Sequence, residues 1–276
     1  MWRERRDNCD KGLPRLAGYV ALFGLIATLV AVGQTAHAAQ QDEIQVYDDG
    51  INKPGQIGIE LHVNGTPDGR TKPDFPGEIT NNHGIRVTPE FSYGLTKELE
   101  VGAYLPTERD GEGQFHFVGG KLRLKWLPVK PEEGKSGWFA GVNVEYSRVG
   151  PRFQESPSTL EMRNIIGWRD KDWLVALNPI FDWDLSKPLA DGVPTYVTGL
   201  KITRKVAEGL ALGGEYYSDI GKINHVLPWN EQDNRIYAVM DVDMKPFVFN
   251  FGVGRGLTDA ADKWTVKAVI EVPLGK

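Results

Sequence analysis

Alternation with a period of two residues dominates the chain after Gly33, and no segment there sustains the 3.6-residue period of an amphipathic helix. The stretch EFSYGLTKELEVGAYLP, Glu90 to Pro106, shows the pattern twice. Phe91, Tyr93 and Leu95 are apolar, then Leu99, Val101, Ala103 and Leu105, with Glu90, Ser92, Glu98, Glu100 and Gly102 between them. Two strands joined by a tight turn explain this spacing. Each such strand has one apolar face to cover, either against a second protein layer or against lipid.

Twelve strands are predicted: Gln56 to Asn64, Gly84 to Leu95, Leu99 to Leu105, Gln114 to Leu127, Gly137 to Ser147, Leu160 to Arg169, Trp173 to Asp184, Tyr196 to Arg204, Leu210 to Tyr217, Arg235 to Met244, Phe247 to Gly254 and Trp264 to Val272. Most approach the roughly 9 to 11 residues that a tilted membrane-spanning strand needs. Connections after the second, sixth, eighth and tenth strands are short, whereas those after the first, fifth and ninth are long. Short turns on one side and long loops on the other mark an outer-membrane-type barrel. PVKPEEGKS after the fourth strand is longer than this pattern expects. EIQVYDD, Glu43 to Asp49, reads as a lead-in on the short-turn side, since one more strand would spoil the even count.

Tryptophan placement tests the same reading. Trp126, Trp138, Trp168 and Trp173 fall at strand ends on the short-turn side, and Trp183 and Trp264 at the other, as aromatic girdles at two membrane interfaces would. A soluble sandwich or lipocalin-like barrel would favour tryptophans at strand centres. The mean hydropathy of −0.35 excludes a bundle of membrane helices but suits strands that are half polar. The expected fold is all-β: an antiparallel up-and-down transmembrane β-barrel of about twelve strands.

The first 38 residues differ from the rest. A charged start, the apolar run from Leu16 to Gly33, and Ala36-His37-Ala38 form a secretory signal peptide expected to be cut after Ala38, leaving residues 39–276 as the barrel domain. Removing residues 1–38 takes away five basic and three acidic residues and leaves 27 basic against 34 acidic, a net charge of −7. A negative exported chain without a basic stripe is a poor nucleic-acid binder. Cys9 leaves with the signal, so the mature chain has no disulfide and no thiolate metal site. The expected location is the outer membrane.

The faces assigned to the barrel interior are crowded with charge: twelve acids against nine bases. Lumen-lining candidates are Glu98, Glu100, Lys121, Arg123, Lys125, Glu145, Arg163, Asp182, Lys201, Glu215, Arg235 and Asp241. Such a mixture does not describe a pore of one sign; it suits either a lumen closed by ion pairs or a narrow channel. No catalytic residue, cofactor site or metal site is assigned. The chain has no G-x-S-x-G, H-E-x-x-H or P-loop sequence. Ser218 with His225, Ser92 with His62, and Asp219 and Asp233 with His225 are the pairings an enzyme would have to use. Pro89 and Pro179 lie inside strands, where bulges are expected to accommodate them. At Gly119-Gly120 the outward phase shifts from Phe115 and Phe117 to Leu122, Leu124 and Trp126, as one extra residue would cause. Pairing Leu105 with Phe115 across that bulge predicts Lys121 opposite Glu100 and Arg123 opposite Glu98.

YGLTKELEVGAYLP, EGLALGGEYYSDIG (Glu208 to Gly221) and LNPIFDWDL (Leu177 to Leu185) resemble the outer-membrane β-barrel family of the MetA pathway of phenol degradation, from about Asp42 onward. The resemblance implies a transporter-like barrel linked with uptake of aromatic or other hydrophobic compounds, and it brings no catalytic residues. Expected partners are outer-membrane lipid and lipopolysaccharide, the barrel assembly machinery and a small-molecule solute, with the chain a monomer. The ending VPLGK, in place of an aromatic residue, departs from the habit by which assembly machinery reads a last strand. A rim-catalysing outer-membrane enzyme and a soluble periplasmic binding barrel are the alternatives.

Overall fold

A computed structural model describes residues 42–274. The expected signal peptide over residues 1–38 and its cleavage after Ala38 lie outside the described residues. The strands are β1 (Ile57–Asp68), β2 (Ile85–Gly94), β3 (Leu99–Tyr104), β4 (Thr107–Arg109), β5 (Phe115–Phe117), β6 (Gly119–Val129), β7 (Gly137–Val149), β8 (Ser158–Arg169), β9 (Trp173–Asp184), β10 (Thr195–Ala207), β11 (Leu210–Lys222), β12 (His225–Val226), β13 (Asp233–Met244), β14 (Phe247–Gly256) and β15 (Trp264–Leu274). β1 pairs antiparallel with both β2 and β15, which closes the sheet. β3 continues into β4 and β5 into β6, and β12 pairs only with β11, so the barrel has twelve staves, all antiparallel.

Closure forces the two faces of every stave apart. Along β7, Phe139, Asn143, Glu145, Ser147 and Val149 are buried while Trp138, Val144, Tyr146 and Arg148 are exposed. The outer face carries a wide apolar surface that includes Phe91, Tyr93, Phe115, Phe117, Leu122, Leu124, Trp126, Trp138 and Ile166. Trp138 stands directly across from Trp168, and Arg204 lies over the Trp173 ring at 5.3 Å, all near the short-turn end. An apolar belt of this extent on a closed barrel matches a lipid-facing surface.

The phase slip is a real one-residue bulge. Thr107 pairs with Phe117 and Tyr104 with Lys121, so two residues on one stave oppose three on the other. The predicted register around it is wrong by four residues: Lys121 stands opposite Tyr104, Arg123 opposite Gly102, and it is Lys125 that faces Glu100. The cause is Pro106. It reads as a strand end, but the stave resumes as β4 and turns only at Asp110, whose Oδ1 accepts the Glu112 and Gln114 N–H groups at 3.0 and 2.8 Å. Burial pushes the Asp110 carboxyl up, but hydrogen bonds from His116 and from those two N–H groups prevail and hold it below the ordinary range. The turn therefore gains stability from this carboxylate above its ordinary pKa and loses it as pH falls through the folded value.

Close backbone contact at the bulge explains its glycines. A Cβ on Gly119 would sit 2.2 Å from the Arg148 carbonyl oxygen, whereas one on Gly120 would meet nothing nearer than the Tyr104 oxygen at 3.6 Å. Gly119→Ala should cost about 1–3 kcal/mol in urea unfolding, because the obstructing atoms are backbone, and Gly120→Ala should be tolerated.

The expected bulges at the prolines are absent. Register is unchanged on both sides of Pro89 and Pro179, and the sheet instead leaves a gap in the ladder beside each. Leu105 N–H donates to the Pro89 oxygen at 3.0 Å, and the Asn164 side chain donates to the Pro179 oxygen at 3.1 Å. A missing donor needs only a missing partner, not an extra residue.

The segment Glu43 to Asp49 is the largest departure from expectation. It is no lead-in outside the barrel: residues 42–53 run as an extended strap through the interior, from beside Asn64 down to the short-turn end, where Gly55 at φ 80° turns the chain into β1. Ile44, Val46 and Tyr47 are buried against Leu127, Phe139, Ile165, Ala176, Tyr217, Tyr237 and Val239, the apolar lower part of the lumen.

Candidate functional site

The strap and the lumen wall make one polar site. Tyr47 is its centre. Its N–H donates to Asn178 Oδ1 at 2.7 Å, its carbonyl accepts from Asn178 Nδ2 at 3.0 Å, and its hydroxyl is 2.7 Å from that of Tyr104. Arg163 and Lys125 lie over its ring at 4.5 and 4.6 Å. Cations held against an aromatic face out of bulk water contribute more than they would on a surface.

Basic residues of the wall clamp the strap along its length. Lys121 bonds Asp42 at 2.9 Å, Lys267 donates to the Ile44 oxygen at 2.9 Å, Arg163 to the Gln45 oxygen at 3.0 Å, and Lys125 to the Gly50 oxygen at 2.6 Å. Arg169 pairs with Asp49 at 2.6 Å, and Asn52 N–H donates to Glu100 at 2.7 Å. Three buried apolar anchors at about 1.5–3 kcal/mol each do not by themselves offset the ordering of this segment at about 1–2 kcal/mol per residue. The polar clamps therefore decide whether the strap stays.

The sequence candidates distribute as follows. Glu98 is a correction: the hairpin closes through Leu95 N–H and Thr96 N–H to the Leu99 oxygen, which puts Glu98 in the turn and exposed, away from the lumen. Arg123, predicted opposite Glu98, instead bonds Glu90 and, at 2.8 Å, Glu100. Lys121 pairs with Glu145 at 2.8 Å, not with Glu98 or Glu100. Arg163 bonds Glu161 at 2.9 Å, and Asp182 stands directly across from Glu161. Lys201 bonds Asp241 at 2.9 Å, Glu215 pairs with Lys267, and Arg235 donates to Asp233 at 2.7 Å near the long-loop end. The pairings an enzyme would have to use do not form among the described residues: Ser92 bonds Asn52 and the Gly58 oxygen, His62 bonds Glu90, and His225 lies exposed in β12.

Lys121 sits between two acids, Asp42 of the strap and Glu145 of the wall. Lys121→Glu would place three carboxylates together, and breaking a largely buried pair in this way should cost on the order of 3–5 kcal/mol. Urea unfolding of the folded barrel measures it, with Lys121→Gln expected to cost less.

Beneath the strap lies a cavity of about 580 Å³ that reaches the short-turn end at Asp170, Lys171 and Asp172. Eight acids and seven bases line it, with Tyr47, Trp173 and Phe249 adding aromatic surface. Sequence reasoning missed the strap, Asn178 and His62. One signal was available: inward positions Leu127, Phe139, Ile165 and Ala176 are apolar and require an apolar partner inside the barrel.

A closed barrel of twelve antiparallel staves, apolar outside and charged within, belongs structurally to the outer-membrane type. Its fold is similar to that of an outer membrane channel from Pseudomonas putida F1, at 12% identity and a TM-score of 0.58, covering 84% of this chain and 100% of that one. It is also similar to the KdgM porin (9% identity, TM-score 0.50, 79% and 99% covered) and the NanC porin (9%, 0.50, 80% and 100%). No family model and no curated protein matches the chain.

Proposed function

We propose that the chain is a monomeric outer-membrane channel for a small, weakly charged or amphiphilic solute, and that the strap of residues 42–53 closes its lumen at rest. The observation that carries this reading is the strap itself: a segment threaded through a closed barrel and held by side-chain clamps above a nearly charge-balanced cavity. Fold similarity to solved channels and porins supports it. Balanced charge favours weak ion selectivity, and the aromatic lining, with the resemblance to the phenol-pathway barrels, favours aromatic or other hydrophobic compounds as the solute class. Lipid and lipopolysaccharide would cover the apolar belt, and the barrel assembly machinery would insert the chain.

Purified protein in planar bilayers tests the channel reading. A salt gradient should give a reversal potential close to zero, and small aromatic acids should enter liposomes carrying the protein faster than charged sugars of equal size. Absence of conductance and of solute entry, in both the intact protein and the strap-deleted form discussed below, would reject it.

A further inference from the structure

Three carboxylates stand side by side on adjacent staves. Glu60 on β1 lies directly opposite Glu90 on β2 and directly opposite Glu271 on β15. Opposed like charges destabilise a strand pair, so this row needs a counter-charge. Arg123 serves Glu90 but is shared with Glu100, and among the described residues no lysine or arginine comes within ion-pair distance of Glu60. What reaches Glu60 is His62, two residues along on the same face. Its Nε2 lies 3.8 Å from Glu60 Oε2 and 3.3 Å from Glu90 Oε2, and the ring is fully buried.

We propose that Glu60, His62 and Glu90 form a binding site for one divalent transition-metal cation of the Zn²⁺ class. The donor atoms of the three residues all lie within 4.8 Å of one another. The two separations from Nε2 bracket the ~3.4 Å edge of a tetrahedron with bonds of about 2.1 Å to zinc. One imidazole with two carboxylates is a donor set that suits Zn²⁺ and its neighbours better than Ca²⁺ or Mg²⁺, which prefer all-oxygen shells. A dication balances the two carboxylates.

The surroundings fit a ligating role. Arg123 bonds Glu90 through Oε1 only, which leaves Oε2 for the ion and makes the guanidinium an outer-shell partner that orients the ligand. Glu60, Glu90 and Glu271 all line the cavity, so an ion has an entry path from the short-turn end. Gln45 of the strap donates to the same Glu60 Oε2 at 3.4 Å, a contact that a bound ion replaces.

Chelator-treated, detergent-purified full barrel titrated with Co²⁺ and Zn²⁺ tests the site. Calorimetry should give one Zn²⁺ per chain, and Co²⁺ should give visible absorption of a low-symmetry site with a nitrogen ligand. His62→Gln should abolish that absorption, and Glu60→Gln should weaken Zn²⁺ binding by about 10–100-fold or more. His116→Gln and His225→Gln, at sites elsewhere in the molecule, should change neither. Retention of heat-dependent electrophoretic migration shows that each variant is folded; if His62→Gln fails that check, Glu60→Gln decides alone. No saturable binding, or binding that survives both wall variants, or binding lost with His116 or His225, would overturn the proposal. None of these readouts depends on transport, so the metal site and the channel reading fail independently.

Discussion

The protein with residues 39–52 deleted should conduct ions through a wider and more persistently open pore than the intact protein, with a several-fold larger single-channel conductance. The strap occupies the lumen with Ile44, Val46 and Tyr47 buried in its apolar part and its backbone clamped by Lys125, Arg163 and Lys267. Removing it frees those three cations, so the opened pore should also shift toward anion selectivity. The staves remain paired with one another after this deletion, because β1 keeps its own ladders to β2 and β15. A milder variant isolates the clamps: Tyr47→Ala removes the ring under Lys125 and Arg163 and the hydroxyl partner of Tyr104, and should raise open probability without changing the fully open conductance. Cys9 is the sequence's single cysteine, so Ile44→Cys in a Cys9→Ser background gives a clean reporter. It should resist a charged thiol reagent in the resting barrel and react once Tyr47 is also replaced. Equal conductance of intact and deleted forms would show that the strap does not govern passage.

The staves and their phase were legible because a half-buried strand writes period two directly into the sequence, and the one-residue slip at Gly119-Gly120 was visible as a change in which residues are apolar. Register was less legible. Pro106 looks like an ending, yet Thr107–Arg109 continue the stave, and an error in where a hairpin turns displaces every pair below it. Glu98 was misplaced for a related reason, since its position in phase says nothing about whether the ladder reaches it. The strap was missed because Ile44 and Val46 alternate as a wall strand would; only the apolar inward residues Leu127, Phe139, Ile165 and Ala176, on four different staves, betray that something apolar must lie inside. His62 shows the limit from the other side. A lone histidine among alternating residues carries no signal until the sheet brings Glu90 beside it.

Val144→Arg should cost about 2–4 kcal/mol, the range for a cation on the lipid face near the bilayer midplane. Val144 lies in the middle of β7 with its side chain on the outer face, between Leu124 on β6 and Met162 on β8. An arginine there has no acceptor from the wall and must reach an interface or drag water into hydrocarbon. Asn143, next to it but fully buried in the interior, provides the contrast: Asn143→Ala leaves the outer surface untouched and should stay within about 1 kcal/mol. Folding the variants into phospholipid vesicles and unfolding them with urea measures both. If Val144→Arg costs no more than Asn143→Ala, the outer face does not meet lipid and a soluble barrel becomes the better reading. If the expected difference appears, lipid seals the outside of the barrel, and the only polar route through it is the lumen that the strap occupies.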